Sequence, residues 1–132
     1  MVQAAAVPMS RMAAPPRATG FSRAPRPTPF RSAEDAWFWT MAALRARHDG
    51  ARTARNPAAV ARPCDPDDVV KCLDGLYRQR RINLTHARIL RIWGERQTAP
   101  NAAGAGERSE WRLWREAMSR LEWPLRVKGI VA

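Results

Sequence analysis

The stretch LDGLYRQRRINLTHARILRIWGER, residues 73–96, decides the fold of this chain because it carries two helical patterns joined by a short turn. The basic run RQRR ends the first pattern, and a turn around Asn83 follows, since Asn tolerates the left-handed conformation. In the second pattern apolar residues recur at helical spacing until Gly94, which supplies a stop. The spacing predicts a helical hairpin, with helices over 66–80 and 84–94.

The helix that opens this hairpin has the clearest start signal in the chain. Asp65 is placed to cap it, and Pro66 suits the first helical position. Asp67 and Asp68 complement the positive end of the helix dipole. The apolar arc expected for this helix comprises Val69, Cys72, Leu73, Leu76 and Tyr77.

Two further helical patterns flank the hairpin. Upstream, Ser32 begins a capping-box-like motif and Gly50 supplies a stop, which predicts a helix over 32–49. Downstream, the periodicity predicts a helix over 109–123 that Pro124 ends. The last residues, LRVKGIVA, predict a short strand or a packed extended tail. We therefore expect an all-α fold, a small four-helix orthogonal bundle closed by this tail.

The N-terminal quarter differs in composition from the rest of the chain. Residues 1–31 hold six of the eleven prolines and five arginines but no acidic residue, which is typical of a disordered leader. Residues 32–132 hold all six tryptophans, whose large apolar surface favours burial. The expected organisation is a disordered Arg/Pro-rich leader over 1–31 and one helical domain over 32–132.

The chain is strongly basic, with a formal net charge of +11. Arginine carries this charge, since Lys71 and Lys128 are the only lysines. The leader contributes five of the positive charges, and the helical domain contributes the other six. Such a balance favours a polyanionic partner such as nucleic acid. The alternative is that arginine only keeps the protein soluble.

The predicted hairpin resembles the helix-turn-helix class of DNA-binding domains. Ile82 and Leu84 flank the turn residue Asn83, and Ile89 and Ile92 serve as inward anchors of the second helix. The chain departs from the class in two places: Gln79 and Asn83 replace a usual small residue and a usual glycine. The resemblance implies that the second helix lies in the major groove of DNA, with residues near its start at the base edges.

This resemblance assigns roles to six residues. Thr85, Arg88 and Arg91 would contact base edges, where the arginine fork matches guanine. The basic run would contact phosphates and fix the register on DNA; its members are Arg78, Arg80 and Arg81. The hypothesis is a bacterial-type, non-catalytic DNA-binding protein that works without a cofactor, with the leader adding salt-dependent attraction.

The rival hypothesis is a non-enzymatic protein–protein adaptor with a Trp-rich surface. Trp37 and Trp39 lie too close in sequence to face one core from the same helix. One alternative is that the first helix is buried on two sides. The other is that one indole is exposed, where it would serve as a protein interface or stack on a nucleobase. DNA binding requires the arginines at positions 80, 81, 88 and 91 to converge on one exposed face without nearby carboxylates. The adaptor predicts that they pair with Asp74 or Glu95, and that Trp39 is exposed.

The sequence supports no catalytic or metal site. The candidate ligands lack recognised metal spacing; they are His48, His86, Cys64 and Cys72. Cys64 lies near a helix start, which can lower a thiol pKa, but no base neighbours it in sequence. His86 is expected near the wet margin of its helix. No apolar run reaches the length of a membrane span. We expect no enzyme activity, no cofactor, no membrane association and a cytoplasmic location.

Overall fold

A computed structural model describes residues 26–50, 60–104 and 106–132. The prediction of an all-α, four-helix protein is confirmed. The helices are α1 (Ala33–His48), α2 (Pro66–Arg78), α3 (Leu84–Arg96) and α4 (Arg108–Val127). Of the predicted leader, residues 1–25 lie outside the described part of the chain.

The predicted helix starts are confirmed because they depend on local capping. The Ser32 hydroxyl accepts a hydrogen bond from the Asp35 N–H at 3.1 Å, which caps α1. At α2, the Asp65 N–H donates to Asp68 Oδ2 at 2.8 Å, and Pro66 occupies the first turn. Each contact satisfies polar groups within four residues of the helix start.

Two predicted helix ends were wrong because packing overrides the local signal. Helix α3 continues through Gly94 because this residue lies against α1: a Cβ atom there would sit 2.7 Å from Met41 Cγ. Helix α4 continues through Pro124 and ends beyond it, at the left-handed Gly129. The extra turn places Leu125 in the core with no exposed surface.

Helices α1 and α4 organise the bundle, since each contacts the other three helices. Positions along α4 meet progressively earlier positions in the chain: Glu110 bonds to Trp93, Glu116 to His86, and Arg120 to Arg81. Helix α4 therefore runs antiparallel to α3 and continues over the α2–α3 turn. Helices α2 and α3 have no Cα atoms within 8 Å of each other.

Three buried tryptophans tie the helices together through their indole N–H groups. Trp37 donates to the Leu90 carbonyl at 2.9 Å, Trp93 to Glu110 at 2.8 Å, and Trp114 to Glu34 at 2.7 Å. Each indole therefore buries its ring and keeps its polar atom paired.

Phe30, which the composition placed in the leader, lies in the core with 2 % of its surface exposed. Its ring packs 5.1 Å from that of Trp39, and the Arg62 guanidinium lies 4.2 Å from its centroid. Its N–H donates to the Ile130 carbonyl at 2.8 Å. Among the described residues, a single parallel bridge between Phe30 and Val131 replaces the C-terminal strand considered from the sequence.

Candidate nucleic-acid interface

The turn between α2 and α3 is built on a left-handed arginine. The Arg81 N–H donates to the Leu76 carbonyl at 2.9 Å, and the Arg80 N–H donates to the Tyr77 carbonyl at 3.0 Å. These two bonds form a Schellman motif, which places Arg80 at the left-handed position with φ of 61°. That position normally favours glycine, so the chain presents a charged side chain at a conformational cost.

The expectation that Asn83 is the left-handed residue was wrong. Asn83 is extended, with φ of −122°, because it is the N-cap of α3. Its side-chain oxygen accepts from the His86 N–H at 3.1 Å. An N-cap requires an extended backbone, so the left-handed position falls three residues earlier, at the end of α2.

His86 is not at a wet margin but is buried, with 4 % of its surface exposed. Its Nδ1 accepts from the Asn83 N–H at 3.2 Å, and its Nε2 lies 2.9 Å from Glu116 Oε1. The Arg120 guanidinium also donates to the Arg81 carbonyl, at 3.0 Å. Both contacts hold the turn and the start of α3 against α4.

The six residues assigned from the sequence are all exposed, but they differ in their partners. Arg78 forms an ion pair with Asp74 at 3.0 Å. The other four arginines have no carboxylate within 4.0 Å among the described residues; they are Arg80, Arg81, Arg88 and Arg91. Glu95 lies one helical turn beyond Arg91 and forms no ion pair with it.

These residues do not form one compact cluster. A surface groove of ≈ 770 Å³ lies at the turn. Its lining contains no carboxylate and consists of Tyr77, Arg78, Arg80, Ile82, Asn83, Leu84 and Thr85. Arg88 and Arg91 do not line it; their spacing from Leu84 places them along one outer face of α3. We call the groove, the exposed Arg81 of the same turn and this face of α3 the basic turn surface.

The packing of α2 and α3 departs from the helix-turn-helix pattern. In that class the two helices cross in contact, and the second projects from the pair into the major groove. Here α2 and α3 are joined by five residues but do not pack on each other, and both pack on α1 and α4. The exposed arginines are present, whereas the close packing of the two helices that is typical of the class is absent.

Sequence reasoning missed Tyr77 and Trp123. Tyr77 was assigned to the buried arc of α2, yet it is 44 % exposed in the groove. Trp123 is 69 % exposed, and Val127, one turn further along α4, is 65 % exposed. The available signal was helical spacing, since Trp123 and Val127 lie off the arc that carries Leu121 and Leu125.

Of the two alternatives for Trp37 and Trp39, the structure favours a helix buried on two sides over an exposed aromatic interface. Trp37 is buried against α3, and Trp39 is half-buried against Phe30. Helix α1 is therefore packed on two sides.

Cys64 does not have the lowered pKa that its place near a helix start suggested. Partial burial raises the pKa of its thiol, and the nearby carboxylates of Asp68 and Asp65 raise it further. Burial also raises the pKa of the Cys72 thiol. Within the described residues, no three His, Cys, Asp or Glu side chains gather as metal ligands.

Fold and surface together define a small all-α protein with an exposed arginine-rich turn. No protein-family model, curated protein or solved structure matches this chain. In the described part of the chain, no helix is long and apolar enough to cross a membrane.

Proposed function

We propose that this protein binds DNA, without catalysing a reaction on it, through the basic turn surface. The observation that carries this proposal is the set of four exposed arginines that have no carboxylate partner in the described residues. Arg78, by contrast, pairs with Asp74 one helical turn away. Unpaired guanidinium groups remain available to phosphates and base edges.

The conformation of Arg80 supports the same proposal. A left-handed position at a helix end is normally glycine, and placing arginine there costs about 1 kcal/mol or more. Arg80 nevertheless occupies it, with φ of 61°, at the rim of the groove. Backbone strain concentrates at functional positions, where the side chain compensates for its conformational cost.

The net charge supplies the long-range part of the interaction. The full chain carries +11, which attracts a polyanion at low ionic strength and raises the association rate. The basic turn surface then provides the short-range contacts. Arg78 contributes least among the assigned residues, since Asp74 already neutralises it.

The test is a salt titration of DNA binding by the full-length chain, using fluorescence anisotropy. The double variant Arg88→Ala/Arg91→Ala removes two unpaired arginines. The matched control Arg45→Ala/Arg126→Ala removes the same charge from arginines that pair with Asp49 and Glu122.

We expect the Arg88/Arg91 variant to bind DNA more weakly than the unmodified protein, and to lower the slope of log K against log salt by about one for each of the two arginines that contacts a phosphate. The control should keep a slope near that of the unmodified protein. An equal loss in both variants would assign binding to net charge alone and overturn the surface assignment. No binding at low salt would overturn the proposed function.

Trp123 and Val127 support a second candidate function, protein docking. Their exposed side chains lie one turn apart on α4, and exposed aromatic residues are typical interface anchors. The first partner to test is a second copy of the chain, by sedimentation velocity of the unmodified protein and Trp123→Ala. Association that Trp123→Ala abolishes, with DNA binding unchanged, would favour this candidate.

A further inference from the structure

Two exposed apolar side chains line the groove at the α2–α3 turn. Tyr77, at the end of α2, is 44 % exposed, and Leu84, at the start of α3, is 68 % exposed. Arg80 and Thr85 line the same groove. An accessible aromatic ring beside a cation and an apolar wall is the chemistry that binds a nucleobase by its face.

Tyr77 is not a member of the hydrophobic core. The other members of its helical arc fill the interior: Val69, Cys72 and Leu76 are buried. Tyr77 lies at the edge of this arc, and its carbonyl accepts the Arg80 N–H at 3.0 Å. The backbone of the strained arginine is therefore fixed directly to that of the aromatic residue, on a rigid helix end.

The fold favours an unpaired base over a base pair at this place. Within a duplex, base faces are covered by their neighbours in the stack, so a protein ring can reach a face only after the base has left the stack. Reading a duplex in the helix-turn-helix manner would instead require α2 to pack closely on α3, whereas no Cα atoms of these two helices lie within 8 Å of each other.

From this geometry we infer that the groove binds an unpaired base of single-stranded nucleic acid. The base stacks on Tyr77, Leu84 forms the apolar wall beside it, and Arg80 contacts the adjoining phosphate. This inference rests on the proposed nucleic-acid binding and specifies its ligand class. The shared ligand chemistry is a single strand, whether DNA or RNA.

The test uses the full-length chain and four labelled ligands at one salt concentration: dT12, rU12, a blunt 12-base-pair DNA duplex, and a 12-unit abasic strand that keeps the phosphates. We expect the single strands to bind at least tenfold more tightly than the duplex. The abasic strand should lose most of that preference because it offers no base face. Comparison of dT12 with rU12 distinguishes DNA from RNA as the source of the strand.

Three variants test the ring itself. Tyr77→Ala should weaken dT12 binding about tenfold, the loss typical of removing one aromatic stacking partner. Tyr77→Phe should bind as the unmodified protein does, since stacking needs the ring and not the hydroxyl. Trp123→Ala is the matched control because it removes an exposed aromatic residue that does not line the groove.

The outcomes separate this inference from the proposed function. Equal binding of single strand and duplex, with Tyr77→Ala unchanged, would overturn the stacking site and leave DNA binding intact. Equal binding of the abasic and the normal strand by the unmodified protein would also overturn the stacking site. If no ligand binds at low salt, the proposed function fails, and this inference fails with it.

Discussion

His86 Nε2 lies 2.9 Å from Glu116 Oε1, and this contact joins the first turn of α3 to α4. Because His86 Nδ1 accepts a hydrogen bond from the Asn83 N–H at 3.2 Å, the ring proton lies on Nε2 and is donated to the carboxylate. A buried histidine with a defined tautomer therefore holds the turn that carries the candidate site. The same contact has consequences for stability in acid.

The Glu116 carboxyl provides a prediction on pH. The hydrogen bond from His86 holds the pKa of Glu116 below its ordinary value of 4.5. A carboxyl group whose pKa is lower in the folded state than in the unfolded state stabilises the fold at pH values above the unfolded-state pKa. This stabilisation is lost as the pH falls through the folded-state pKa. Glu116→Gln should lack this component. In urea unfolding from pH 7 to pH 3, its deficit should be greatest at neutral pH and shrink below about pH 4.5.

The control for this titration is Glu95→Gln, since Glu95 forms no ion pair among the described residues. Parallel pH profiles for Glu116→Gln and the unmodified protein would show that the His86 contact does not stabilise the fold.

Gly94 and Gly75 should respond oppositely to a methyl group. A Cβ at Gly94 would lie 2.7 Å from Met41 Cγ and 2.8 Å from Trp37 Nε1, whereas a Cβ at Gly75 meets nothing within 4 Å. Gly94→Ala should lower the free energy of unfolding by about 1–3 kcal/mol because it forces α1 and α3 apart. Gly75→Ala should raise it by about 0.5–1 kcal/mol, since alanine favours a helix interior. Urea unfolding of both variants checks this; a stabilised Gly94→Ala would contradict the close α1–α3 packing.

Arg80→Gly should separate stability from binding. Glycine relieves the left-handed strain at this position and should stabilise the fold by about 1 kcal/mol, while removal of the guanidinium weakens DNA binding. Gln97→Gly is the matched comparison, because Gln97 is also left-handed. Gln97→Gly should gain less stability than Arg80→Gly, because it also removes two hydrogen bonds. The Gln97 side chain donates to the Phe38 carbonyl at 3.0 Å and to the Gly94 carbonyl at 2.7 Å. Thermal unfolding and anisotropy measure the two effects; unchanged DNA binding by Arg80→Gly would remove Arg80 from the site.

The Glu34 carboxylate should stabilise the fold because it accepts the hydrogen bond from the Trp114 indole N–H. Glu34→Ala leaves the buried indole N–H without its partner, which should cost about 1–3 kcal/mol. Glu34→Gln keeps an acceptor oxygen and should cost less. Chemical denaturation compares the two variants. Equal losses would show that charge, and not the hydrogen bond, is responsible.

Phe30 should be essential to the domain although it precedes the first helix. Phe30→Ala removes a ring that is 2 % exposed and should cost about 3–5 kcal/mol. Val127→Ala, which trims a side chain that is 65 % exposed, should change stability little. Melting temperatures of the two variants test this. If they melt alike, the attachment of Phe30 to the core is not part of the stable fold.

Much of the candidate site could be predicted because exposure along a helix follows from spacing. Thr85, Arg88 and Arg91 were placed on the polar side of α3 by periodicity alone, and they are exposed. Their partners could not be predicted, because an ion pair depends on the neighbouring side chain that reaches the group. Spacing also failed at the edge of an arc: Tyr77 fits the apolar pattern yet lies open in the groove.

The sequence by itself determined where α1, α2 and α3 begin, because the hydrogen bonds at Ser32, Asp65 and Asn83 join groups within four residues of each helix start. Only the tertiary structure decided where α3 and α4 end, since Gly94 and Pro124 stay helical when the next turn packs against the bundle. It also decided that α2 and α3 do not pack closely on each other. Their contacts are with α1 and α4, and burial against those helices is a long-range gain that no local pattern encodes.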